Sequence, residues 1–222
     1  MKKTLLIVIG VLIVGAGITG WQFNKNKNTD TTITKSSQTQ TSSMSSMQKQ
    51  FAAYTGTEYD KVFLASMIVH HQGAVQMAQM ALTSANHPEL INMAKNIVSA
   101  QTSEIAQMQS WQKAWGYTTN DASTTTVTKQ MQTEMDGMMA QLNGKTSNAF
   151  DEAFLTQMMM HHQSAIDMSK PAANNASHQD VKTIAGSIIT AQTKEVSRMM
   201  GWQAQWGYAT SSSPDSMSGM KM

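Results

Sequence analysis

Residues 59–78 read YDKVFLASMIVHHQGAVQMA, and residues 150–169 read FDEAFLTQMMMHHQSAIDMS. The two stretches lie 91 positions apart, and the register continues without a gap. SAQTSEIAQMQSWQKAWGYTT, residues 99–119, pairs with TAQTKEVSRMMGWQAQWGYAT, residues 190–210. Roughly 25 of the 61 paired positions are identical. An internal repeat of this length marks one structural unit used twice.

Each unit reads as two helices. Apolar residues recur at three- and four-residue spacing along Phe63, Met67, Ala74, Met77 and Ala81, the signature of one helical face. Thr57, with Asp60 three residues on, predicts a capped start; Asn148 and Asp151 hold these positions in the second copy. Residues 84–87 break the helix, Pro88 suits the first position of the next, and Gly116 suits its end. Pro171 stands where the first copy has Met80, so it predicts an early end or a kink, and two sites that need not be equivalent. The second helix carries the stripe Leu90, Ala94, Ile97, Gln101, Glu104, Met108, Trp111, Trp115, repeated as Val181, Ala185, Ile188, Gln192, Glu195, Met199, Trp202, Trp206. Two such hairpins predict an all-α fold, a four-helix bundle, with residues 130–142 as an amphipathic linker helix.

The flanks predict four regions. Met1-Lys2-Lys3 precedes an uncharged apolar run from Thr4 to Trp21, long enough to span a bilayer. Residues 1–23 therefore read as a transmembrane signal anchor, or as a cleaved leader, with the rest of the chain extracytoplasmic. Residues 24–46 are a polar tract that reads as a linker. The duplicated bundle occupies 47–210, as repeats of about 47–119 and 138–210. Residues 211–222 form a Met-containing tail.

Composition excludes several classes of function. Net charge is +2 among 222 residues, which leaves no basic stripe for nucleic acid. There are 21 Met and no Cys, so thiolate sites, disulfides and thiol nucleophiles are absent. No Ser-His-Asp, phosphate-loop or CxxC pattern occurs. What stands out is the histidines: all six fall at matched positions, His70, His71 and His87, then His161, His162 and His178. His70 lies on the apolar stripe, and His71 lies in line with Met67 one turn back. At 1.5 Å per residue His70 lies about 20 Å down the hairpin from its turn, level with Gln101 to Glu104. Polar groups in a bundle core are costly unless paired or metal-bound. Imidazole suits Zn, Cu, Fe and Ni, and thioether selects Cu(I). The candidate metal ligands are therefore His70, His71, Met67, Met77, Glu104 and Met108, with His161, His162, Met158, Met168, Glu195 and Met199 in the second copy. Copper, as Cu(I) or Cu(II), is the expected ion; zinc and iron remain open. His87 and His178, at the turn, are as consistent with capping or surface roles as with ligation. The internal Met and the Trp residues also suit plain core packing.

The pattern D-x-x-F-L-x-x-M-x-x-H-H-x-x-A-x-x-M, then H, then Q-x-x-E-x-x-x-M-x-x-W, resembles the domain of unknown function 305 family. Asp60, Phe63, Leu64, Met67, His70, His71, Ala74, Met77, His87, Gln101, Glu104, Met108 and Trp111 carry it, and their partners 91 residues on repeat it. The resemblance implies a ferritin-like four-helix bundle, secreted or membrane-anchored in bacteria, some members being similar to periplasmic copper-binding proteins of copper tolerance. Three functions follow as expectations: copper capture or buffering without turnover, a ferritin-like metal oxidase, and a metal-free structural or interaction bundle. The first is favoured, because di-iron bundles use four Glu and Glu-x-x-His motifs, and only Glu104 and Glu195 stand on core stripes. Homo-oligomerisation is left open.

Overall fold

The computed structural model describes residues 49–118 and 122–208. Helix α1 (Gly56–Ser84) and α2 (Pro88–Trp115) form the first hairpin. Helix α3 (Ala122–Ala140) leads to the second, made by α4 (Ser147–Ser169), the short α5 (Ala172–Asn175) and α6 (Gln179–Trp206). Among the described residues every named element is helical, so the fold is all-α.

Helices α1 and α2 pack together, as do α4 and α6, and α1 also packs on α4 and α3. Two apolar clusters fill the interior, and each mixes both hairpins. Phe63, Met67 and Met108 of the first hairpin join Met168, Val181 and Ile188 of the second. Ala74, Met77 and Leu90 join Phe154, Met158 and Met199. The start of α1 thus meets the far end of α4, and the reverse, so these helices run antiparallel and cross between the clusters. Each fully buried Met, Leu or Phe contributes about 1.5–3 kcal/mol of burial.

Helix ends follow local chemistry, with three corrections. Pro88 opens α2, and Gly116 (φ 68°) and Gly207 (φ 71°) close α2 and α6 in the left-handed conformation that glycine adopts without penalty. The starts of α1 and α4, however, are not at Thr57 and Asn148. Thr55 and Thr146 occupy the N-cap positions, neither makes a side-chain cap, and Gly56 and Ser147 follow with φ of 62° and 52°. Asp60 and Asp151 turn away from their own helix starts to a partner described below. The linker helix is also longer than residues 130–142: it begins at Ala122, because Thr124, Val127, Met131 and Met135 extend the buried stripe upstream. Tertiary burial there outweighs the weak helix propensity of three consecutive Thr. Pro171 acts as the sequence indicates. Helix α4 stops at Ser169, while α1 continues to Ser84, the position matching Asn175, where α5 ends.

The segments read as an anchor (1–23), a linker (24–46) and a tail (211–222) lie outside the described residues, with Met44, Met47, Met217, Met220 and Met222. No helix among the described residues is long and apolar enough to cross a membrane.

Candidate metal centre

Midway along the α1–α4 crossing, four histidines meet. His70, His71, His161 and His162 are all fully buried. The His70 and His161 rings lie 3.6 Å apart between centroids, and each ring has its sequence neighbour about 6 Å away, at 6.3 and 5.8 Å. The repeat symmetry therefore gathers both His-His pairs into one group.

Their hydrogen bonds define which ring nitrogen is free. His71 Nε2 donates to Glu104 Oε2 at 2.8 Å, and His162 Nε2 donates to Glu195 Oε2 at 2.6 Å. His161 Nε2 donates to the main-chain carbonyl of His70 at 2.8 Å. In each case the oxygen acceptor requires a proton on Nε2, so Nδ1 is the nitrogen that holds the lone pair when imidazole is neutral. All four Nδ1 atoms, and His70 Nε2, are buried without a hydrogen-bond partner. Burial holds the His70 and His161 rings well below the usual imidazole pKa. Neighbouring imidazoles push the same way: His161, His71 and His162 for His70, and His162 for His161. These two rings are neutral, the form in which imidazole binds metal.

Glu104 and Glu195 stand at the rim, each about a quarter exposed. Gln101 and Gln192 are 3% exposed, and their Oε1 atoms lack partners. The six candidate methionines are fully buried in the flanking clusters: Met67, Met108 and Met168 in one, Met77, Met158 and Met199 in the other. Among the described residues, no three His, Asp or Glu side chains already stand as a ready ligand set.

His87 and His178 lie apart from this group. His87 Nδ1 donates to Asp151 Oδ2 at 2.5 Å, and the same carboxylate accepts the N–H groups of Asn86 and His87 at 2.9 Å. The ring stacks on Trp206 at 3.7 Å, with Tyr208 edge-on. Asp60 does the same for Ser177 and His178, and that ring stacks on Trp115 at 3.8 Å. Each buried Asp therefore caps the second helix of the opposite hairpin. A carboxylate in step with the apolar stripe, three residues before Phe63 or Phe154, signals a buried position but not the partner it caps.

The family description Domain of unknown function (DUF305) matches residues 16–112, 60–203 and 151–222. The chain belongs to the DUF305 family. Solved structures agree. The protein CopM in its Cu(I)-bound form is 30% identical, covers 68% of this chain and 98% of its own, and superposes with a TM-score of 0.55. Its Cu(II)-bound form is 31% identical over 66% and 98%, again at 0.55. A DUF305 protein of Streptomyces coelicolor, 23% identical over 67% and 93% with a TM-score of 0.61, shares the fold. No curated protein sequence matches. Within this DUF305 chain the central histidines carry the unpartnered ring nitrogens, and the turn histidines are engaged through Nδ1.

Proposed function

We propose that this DUF305 protein binds copper outside the cytoplasm, capturing or buffering the ion without chemical turnover. One observation carries the reading: four imidazoles lie fully buried in one group, and none of their Nδ1 atoms has a hydrogen-bond partner. Leaving a buried acceptor unmatched costs about 1–3 kcal/mol each. A bound ion removes that cost. His70, His71, His161 and His162 would supply nitrogen ligands. Met67, Met77, Met108, Met158, Met168 and Met199 flank them with the thioethers that favour Cu(I). Glu104 and Glu195 would then orient His71 and His162 from behind, as carboxylates commonly do for ligating imidazoles. CopM, solved with Cu(I) and Cu(II), supports copper over zinc or iron.

The location rests on the apolar N-terminal run, read as a single-pass anchor or a cleaved leader. The ferritin-like description of the four long helices belongs to the same reading. Carboxylate scarcity at the centre argues against an iron oxidase, since two Glu cannot supply the four of a di-iron site. A metal-free bundle keeps one point in its favour: the His71–Glu104 and His162–Glu195 pairs form without an ion.

Titration with Cu(I), Cu(II), Zn(II) and Fe(II), beside a variant carrying His70→Ala, His71→Ala, His161→Ala and His162→Ala, tests the assignment. Copper affinity should drop by orders of magnitude in the variant. Equal copper affinity in both proteins removes the central site. Oxygen consumption with Fe(II) would instead establish the oxidase.

A further inference from the structure

A narrow cleft opens between α2 and α6, on the side of the molecule where Glu104 and Glu195 reach the surface. Its lining is symmetric: Ala100, Gln101 and Glu104 face Ala191, Gln192 and Glu195. The space is about 30 Å³, enough for roughly one or two water-sized particles. We propose that this cleft is the port through which a divalent cation, Cu(II), reaches the central histidines, and that four oxygen groups lining it are the first to hold the ion. The inference rests on the copper reading above and adds a route and a second, harder donor set to it.

Three features support it. First, two of the four oxygen groups are unspent. Gln101 and Gln192 are 97% buried, yet their Oε1 atoms have no partner. Buried amide oxygens without partners are rare and costly, and a cation in the cleft would satisfy both. Second, the chemistry suits an ion that arrives hydrated. The space admits an ion only after most of its waters are shed, so the carbonyl oxygens and carboxylates replace oxygen with oxygen. The negative charge of Glu104 and Glu195 concentrates cations at the mouth. Third, the port connects inward. Each mouth carboxylate already holds a buried imidazole, His71 or His162, through one hydrogen bond. An ion seated on the carboxylates is therefore one side chain away from the ring nitrogens. Ala100 and Ala191 leave the opening clear; both are exposed.

Stopped-flow loading with Cu(II), followed by quenching of tryptophan fluorescence, tests the proposal. Ala100→Phe with Ala191→Phe plugs the mouth without removing a polar group, and circular dichroism checks that the helices persist. The plugged protein should load about tenfold slower or more and still reach the copper stoichiometry of the unmodified chain. Gln101→Leu with Gln192→Leu, which leaves the mouth open, should also slow loading. Unchanged loading in the plugged protein, at full stoichiometry, overturns the port alone. Unchanged loading in the Gln pair overturns the oxygen donors. An unmodified chain that binds no copper at equilibrium removes the central site, and the port with it.

Discussion

His70 and His161 impose a pH dependence on the metal-free fold. Both rings are held neutral by burial and by neighbouring imidazoles, with folded pKa values well below the ordinary one. The unfolded chain takes up their protons near pH 6.5, while the folded chain does not. Stability from these groups is therefore complete above about pH 6.5 and is lost as pH falls below it. The slope approaches about 1.4 kcal/mol per pH unit for each ring. Urea denaturation of copper-free protein between pH 7.5 and 5 should show this decline; a flat profile would mean the rings accept protons in place. Asp60 matters as an acceptor whose partners depend on it. It takes two main-chain N–H groups and the His178 ring from a fully buried position. Asp60→Ala should cost about 3–5 kcal/mol, and Asp151→Ala a similar amount, both measured by denaturant midpoint. The central histidines could be foreseen because the repeat displays them twice at one depth. The Asp60–His178 pair could not. Its members lie 118 residues apart, and no local pattern links a carboxylate to a helix start on the other hairpin.

Helix boundaries were foreseeable wherever one residue decides them, as Pro88, Gly116 and Pro171 do. They were missed at Gly56 and Ser147, where a left-handed residue begins the helix and no side chain caps it. The contact between α1 and α3 has a similar lesson. A Cβ placed on Gly73 would sit 2.5 Å from Met135 Sδ and 3.0 Å from its Cβ. Glycine is what lets the linker helix lie so close, whereas Ser164 holds this position in the second copy. Gly73→Ala should therefore destabilise by about 1–3 kcal/mol through overcrowding, despite alanine's better helix propensity. Gly186→Ala is the control, since nothing lies within 4 Å of its added Cβ. It should stabilise by about 1 kcal/mol. Thermal melts of the two variants should move in opposite directions, and a shared direction would refute the close-approach account of Gly73.

Across the fold, the all-helical architecture and the twofold repeat were legible from spacing alone, since period and offset are written in Phe63, Met67, His70 and their counterparts. The crossing of α1 over α4 was not, because both hairpins present equivalent apolar stripes and nothing local says which face meets which. That crossing brings the four rings together, and it makes each apolar cluster a joint product of both hairpins. The reciprocal caps carry the same dependence further. Asp60 finishes a helix that its own hairpin does not contain, and Asp151 returns the favour. A truncated gene encoding just one hairpin would yield a polypeptide whose buried acid has nothing to grip and whose apolar flank lies bare. Such a half-length product could complete itself only by mating with its twin. Sedimentation should find it as a symmetric pair or as aggregate, and a stable, folded lone hairpin would show that the doubling was a convenience and not a necessity.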